Sequence, residues 1–341
     1  MRLGYLIKEA GYYIKSDGIA RPLKKFLLLQ TPLSRIVNTP LYNAFYRGLI
    51  KRRARKMPSI LQIENTNLCN ARCIMCPHRG MKRKARVMTF GEYKKMIDNV
   101  IGSYKIKKII ITGFGEPLTD KGIFDKINYS KRRYPNVKVE IYTNGSLLDK
   151  NLSEKLLRAK VDRITFSING TEKNYRKIMG LDYSKTKENV MHFLKQNKKM
   201  KHPVLCNISL MILKENEKDI KSFIEFWRKY ADSVRVYLPS NWAGNLKSLD
   251  IINKMPFKNK RWTCPFLWNN VTVDAEGNVI LCHRDCESKV VLGNLLKEDI
   301  KKIRNSENFK KIIEKHLNLD FSSPICSNCD NCADSSVEWW L

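Results

Sequence analysis

This sequence has no run of about 18 apolar residues, the length a helix needs to span a bilayer. It also lacks the basic, then apolar, then small-residue pattern of a cleaved secretory signal. Acidic residues are scarce: 33 Asp and Glu face 64 Lys and Arg, a net charge of +31 at pH 7. That surplus favours solubility and general attraction to polyanions, so anionic lipid, nucleic acid and phosphorylated substrates all stay open as partners. No sequence-reading nucleic-acid module accompanies the charge, so a specific nucleic-acid partner is not expected. A hydrophobic content of 43% excludes a disordered chain. The 341 residues suffice for two domains with a sizeable core. The expected setting is the cytoplasm, with membrane contact confined to the N-terminal region.

That region, residues 1–58, is a basic amphipathic leader. It carries 13 Lys and Arg against Glu9 and Asp17, with aromatic and aliphatic clusters between them, and ends in Lys51-Arg52-Arg53-Ala54-Arg55-Lys56. Such segments either pack on the outside of a following domain or lie in a membrane interface.

Nine of the ten cysteines are clustered. In a reducing compartment, clustered cysteines read as metal ligands rather than disulfides. The densest set, Cys69, Cys73 and Cys76, has CxxxCxxC spacing directly behind an expected strand. Two chemistries fit. With His78, the three thiols make a Cys₃His zinc site. Alternatively, each thiolate holds one iron of a [4Fe-4S] cluster, which is normally held by four cysteines. A cluster on three leaves one iron open, as catalytic metal sites require.

From residue 59 onward, expected strands and helices alternate. Strands at Ile60–Glu64, Lys108–Thr112, Lys138–Tyr142, Arg163–Ile168, Leu205–Leu213 and Val234–Leu238 are short and rich in apolar or β-branched residues. Helical patterns fall between them, at roughly 90–103, 121–133, 152–160, 184–198 and 217–230. The alternation predicts a parallel sheet with outer helices, and six units rather than eight predict a partial (β/α)₆ TIM-like barrel over 59–255. In parallel barrels the site lies at the C-terminal strand ends. There the chain places the cysteine loop, Gly113-Phe114-Gly115-Glu116-Pro117, Thr143-Asn144-Gly145 and Ser167-Ile168-Asn169-Gly170.

The CxxxCxxC loop behind the first strand and the glycine-glutamate-proline stretch behind the second resemble the radical SAM superfamily. The resemblance covers residues 59–335. It departs in one detail, since Met75 precedes the third cysteine where the family often has an aromatic residue. It implies a [4Fe-4S] cluster on Cys69, Cys73 and Cys76, whose open iron chelates S-adenosylmethionine. It also implies cofactor contacts from Gly113, Gly115 and Glu116, from Asn144 and Ser167 at strand ends, and from Arg176. An external one-electron reductant of the flavodoxin or ferredoxin type follows from the same resemblance. The five basic residues among 78–86 suggest, independently, an anionic substrate.

Beyond about residue 255 the pattern changes to a small cysteine-rich β-hairpin/α domain, 256–341. Val271–Val273 and Val279–Leu281 flank a turn, a helical stretch spans 297–316, and Cys326-x-x-Cys329-x-x-Cys332 follows. Its cysteines also suit a zinc ribbon. Cys264, Gly277-x₄-Cys282 and the closing CxxC resemble the twitch form of the SPASM auxiliary-cluster domain. The resemblance implies a second [4Fe-4S] cluster on Cys264, Cys282 and two of Cys326, Cys329 and Cys332.

The implied activity is reductive cleavage of S-adenosylmethionine to a 5′-deoxyadenosyl radical, followed by hydrogen abstraction from substrate. An auxiliary cluster suits oxidation of a hydroxyl-bearing carbon, and a thiol donor suits epimerisation. Cys286 is the candidate donor, because Cys206 opens the fifth strand away from the rim. A small or lipid-linked carbohydrate or cyclitol is the expected substrate. A peptide maturase is the alternative within the family, set back by the absence of a winged-helix pattern in 1–58. A noncatalytic zinc protein binding nucleic acid or membrane is the alternative of another class.

Overall fold

The computed structural model describes residues 58–237, 239–246, 263–264 and 266–330, together with Gly48. The basic leader, the expected boundary near 255 and Cys332 lie outside the described residues.

Six parallel strands follow the expected positions within a residue or two: β1 Ile60–Ile63, β2 Lys108–Ile111, β3 Lys138–Thr143, β4 Arg163–Ser167, β5 Leu205–Met211 and β6 Ser233–Tyr237. Helices α1 Phe90–Ser103, α2 Ile123–Arg133, α3 Lys150–Arg158, α4 Tyr175–Met179, α5 Tyr183–Asn197 and α6 Ile220–Trp227 connect them. Local chemistry sets the helix starts. Thr89 and Glu92 form a capping box on α1, and Asp149 and Asp182 cap α3 and α5. The short α4 escaped the periodicity reading, since five residues are too few to show a 3.6-residue repeat.

The C-terminal region is joined to the barrel sheet. It contains α7 Phe266–Asn269, β7 Asn270–Val273, β8 Asn278–Ile280, β9 Val291–Asn294, α8 Ile300–Arg304 and α9 Glu307–Leu317. The hairpin of β7 and β8 forms as expected, and β7 also pairs parallel with β1, giving one nine-stranded sheet in the order β6-β5-β4-β3-β2-β1-β7-β8-β9. Asn99 on α1 fixes the junction, donating to Leu295 O and Glu298 O and accepting from Ile300 N. Among the described residues, no helix is long and apolar enough to cross a membrane.

The two faces of the barrel strands differ. Outward-facing Ile164, Phe166, Cys206, Ile208 and Leu210 are fully or almost fully buried; Phe166 packs on Phe193 of α5, and Cys206 Sγ accepts from Asn197 of the same helix. The inner face is polar. At its floor Glu140 pairs with Lys108 at 3.0 Å and Arg163 at 2.9 Å. Above the floor stand Thr165, Ser167, Asn207 and Ser209, linked by Asn207–Thr165 and Ser209–Ser167 contacts. Two-sided apolar strands are the rule in closed parallel barrels, so a polar lumen marks a surface kept for something other than packing.

One ion pair lies deep in the core. Lys126 of α2, 1% exposed, bonds Asp120 and Met88 O, and Asp120 also accepts from Asn65 at the end of β1. Removing one partner strands the other charge in a medium that solvates it poorly. Asp120→Ala is expected to cost about 3–5 kcal/mol, measured by urea unfolding. Joint replacement, Asp120→Leu with Lys126→Met, is expected to restore most of that loss.

Candidate active site

Strand β1 delivers the cysteine loop to the rim, and its neighbours hold it there. Arg72 N donates to Met179 O and Ile74 N to Ile178 O, so α4 clamps the loop, and Cys73 Sγ lies 3.4 Å from Met179 Sδ. On the other side Asn70 accepts from Asn144 Nδ2 and donates to Ser146. The three thiols are partly exposed. Burial pushes Cys76 up to about 11, and burial followed by the nearby Cys76 and Cys69 pushes Cys73 higher still. Thiols that burial and mutual repulsion keep protonated need a cation to hold them as thiolates, the role a bound metal fills. The donor set therefore fits an iron–sulfur cluster.

His78, the fourth ligand that a Cys₃His zinc site would need, is turned away to bond Asn67 O at 2.8 Å. A cluster held by the three thiols alone makes no demand on it.

The glycines of Gly113-Phe114-Gly115 serve the loop rather than opening directly onto a ligand. A Cβ on Gly113 would lie 2.4 Å from Glu64 Cγ, and one on Gly115 would lie 2.2 Å from Thr66 O and 2.6 Å from Leu68 O. Their bare backbone lets the second rim loop nest against the first. Glu116, 3% exposed, is likewise turned inward: it accepts from Thr143 Oγ1 at 2.6 Å, Asn144 N at 2.7 Å and Leu118 N at 3.1 Å. Burial, opposed by those bonds, holds its carboxyl above the usual range. Asn144 is buried in its bonds to Asn70 and Ser146, Ser167 looks into the lumen beside Ser209, and Arg176 is exposed on α4.

Glu64 joins the rim unannounced by any motif, and Arg83 is not among the open charges expected of residues 78–86. At the end of β1, Glu64 accepts Phe114 N at 2.9 Å and Ala275 N at 3.2 Å, and takes a bidentate pair from Arg83 at 2.7 and 3.0 Å. Arg83 also donates to Cys286 O at 2.6 Å. Its side chain is 9% exposed, so it is a structural tie and not an open charge for an anionic substrate. Lys82 and Lys84 remain exposed. A buried Glu two residues past the strand centre gave no distinguishing signal in sequence.

At the second site Cys264, Cys282, Cys326 and Cys329 line one cavity together with Ala243 and Arg284. Both described cysteines of the closing motif, Cys326 and Cys329, reach this cavity. His316, fully buried on α9, sits 3.3 Å from Cys326 Sγ, and burial pushes Cys282 up to about 12. Four thiols around one cavity, Cys264 and Cys326 buried and Cys282 and Cys329 half-buried, again fit a cluster. Cys286 is buried apart from this lining; burial, then Glu287 and Asp285, push its thiol up to about 11, which keeps the S–H intact. Cys206 is a core residue, donating to Val204 O.

These two cysteine sites on a partial barrel define a class of iron–sulfur proteins. The chain carries a radical SAM domain followed by a SPASM domain: the Radical SAM superfamily signature matches residues 63–226, and the SPASM iron-sulfur cluster-binding domain matches residues 264–333. Its cofactors are accordingly S-adenosylmethionine, a [4Fe-4S] cluster that binds it, and auxiliary iron–sulfur chemistry. The chain is 24% identical over 289 residues to the S-adenosyl-L-methionine-dependent 2-deoxy-scyllo-inosamine dehydrogenase of Niallia circulans, covering 83% of this chain and 97% of that protein. Its fold resembles BtrN in complex with AdoMet and 2-DOIA, with a TM-score of 0.55, 20% identity, and 80% and 93% of the two chains covered. It also resembles Streptococcus suis SuiB bound to precursor peptide SuiA, with a TM-score of 0.63, 14% identity, and 94% and 85% covered.

The nesting of the two rim loops makes a sharp expectation. Gly115→Ala should displace the Thr66–Leu68 backbone and empty the first site alone. Iron analysis of the reconstituted variant should then find about four atoms per chain in place of about eight.

Proposed function

We propose that this radical SAM enzyme abstracts a hydrogen atom from a hydroxyl-bearing carbon of a carbohydrate or cyclitol, free or lipid-linked, and oxidises or epimerises it. The observation that carries this reading is the polar lumen. Ser167, Ser209, Thr165 and Asn207 offer hydroxyl and amide groups along the inner face of β4 and β5. Such groups match a polyhydroxylated ligand better than an apolar one, because each buried substrate hydroxyl then finds a partner. The dehydrogenase relative supports the substrate class.

Cys69, Cys73 and Cys76 would hold the cluster that supplies an electron, from an external flavodoxin- or ferredoxin-type reductant, to cleave S-adenosylmethionine into methionine and a 5′-deoxyadenosyl radical. Cys264, Cys282, Cys326 and Cys329 would hold the auxiliary cluster, the electron acceptor that oxidation needs. The remaining tasks fall to the chain itself. The Asn70–Asn144 clasp and α4 fix the cysteine loop, the bare Gly113 and Gly115 backbone lets the second rim loop nest against the first, and the Glu140 ion pairs brace the floor of the lumen. Epimerisation would draw a hydrogen atom from the Cys286 thiol. Membrane contact through residues 1–58 would suit the lipid-linked form of substrate.

Anaerobic, reconstituted protein with reductant and S-adenosylmethionine should yield more 5′-deoxyadenosine when supplied with the polyhydroxylated soluble fraction of source cells, or with their lipid-linked glycans. No stimulation by either fraction, with iron present, would remove this substrate class; stimulation by a peptide fraction would replace it. For an anionic substrate, the double variant Lys82→Ala with Lys84→Ala should raise KM several-fold. Uncoupled cofactor cleavage should stay constant, because Arg83 is left in place.

A further inference from the structure

Residues 240–244 follow β6 and run between the two cysteine sites. Trp242 Nε1 donates to Met75 O at 2.9 Å, the carbonyl next to Cys76, and its ring packs on Phe114 of the glycine-rich loop at 5.6 Å. On the other side the Arg284 guanidinium lies 5.8 Å from the same ring, and Ala243 and Arg284 line the auxiliary cavity. One side chain thus touches both rim loops of the first site and a wall residue of the second.

The backbone here is held against its own preference. Trp242 has φ 50° and Ala243 φ 57°, followed by Gly244 at 84°. A bulky residue in the left-handed region is uncommon and costs energy, so the surroundings must enforce it. Those surroundings come from the C-terminal motif. Asp330 accepts from Asn241 N at 2.6 Å and Ser240 Oγ at 3.0 Å and pairs with Arg284 at 3.3 Å; Asn241 Nδ2 donates to Asn328 O at 2.6 Å. Asn328, Cys329 and Asp330 are consecutive, so the anchor of the segment and a wall of the auxiliary cavity are one piece of chain.

We propose that Trp242 is a positioning residue that couples the auxiliary site to the S-adenosylmethionine site. Anchored through Asn241 and Asp330, its indole holds the Met75–Cys76 backbone and Phe114 in the geometry that binds cofactor. When the anchor is released the strained turn relaxes, the indole withdraws, and cofactor affinity falls although no ligand of the first cluster has changed. The inference rests on the assignment of the two cysteine sets made above, and iron content tests that assignment separately from the coupling.

The test is a double-mutant cycle on the reconstituted holoenzyme, reading the S-adenosylmethionine dissociation constant and the electron paramagnetic resonance change on cofactor addition. Trp242→Phe keeps a ring but removes the N–H, and Asp330→Ala removes the anchor on the far side of the ring. Each is expected to retain iron and to raise the dissociation constant about tenfold, the order of one buried hydrogen bond and its packing. The double variant should be no worse than the weaker-binding single variant, because both act through one side chain. If Asp330→Ala loses auxiliary iron, Asn241→Ala takes its place in the cycle. A dissociation constant within about twofold of the parent for an iron-replete single variant, or defects that multiply in the double variant, would overturn the coupling. Iron loss at the first site in Trp242→Phe would also overturn it, by making the residue a support of the cluster itself.

Discussion

The carboxylate of Glu64 is the point on which the rim depends. It stands at the end of the central strand β1 and satisfies two backbone N–H groups and a guanidinium. Those partners belong to three segments: the glycine-rich loop after β2, the turn between β7 and β8, and the basic stretch after the cysteine loop. A buried carboxylate is tolerated only when its charge is paired and its lone pairs are used, and here both conditions are met by groups that must themselves be placed precisely. The pairing therefore does more for position than for stability, since a buried ion pair is seldom a large net source of the latter.

The same economy runs through the other rim contacts. Glu116 ties the second and third rim loops, Asn70 and Asn144 tie the first and third, and α4 closes the first from the far side. Each loop is thus held by its neighbours rather than by its own secondary structure. Loops without internal ladders must find partners for their polar groups elsewhere, and on this rim they find them in each other. The result is a cysteine loop whose backbone is positioned by its neighbours, with its three thiols gathered on the rim.

The two cysteine sites are parts of one sheet and not of two loosely joined bodies. Parallel pairing of β7 with β1, the Asn99 junction and Arg83 reaching Cys286 O fix the auxiliary region to the barrel. Rigid placement matters for electron transfer and for any exchange of hydrogen atoms, because both fall steeply with distance.

The sequence alone determined the order of the six barrel strands and of most helices between them, the partial barrel, the cysteine loop and the β7–β8 hairpin with its cysteines. Those features rest on local signals: β-branched runs, helical periodicity, turn residues and close cysteine spacing. Tertiary structure alone brought Cys326 and Cys329 to the cavity that Cys264 and Cys282 line, because spacing does not say where a sulfur ends up and only chain path brings it to a cavity. It also turned the glycines of the second loop into seats for Glu64 and the Thr66–Leu68 backbone, and withdrew Arg83 from the exposed charges by giving it a partner 19 residues earlier. Burial and pairing at a distance have no local spelling, and so a lysine-rich stretch reads the same whether its arginine faces water or closes a buried ion pair.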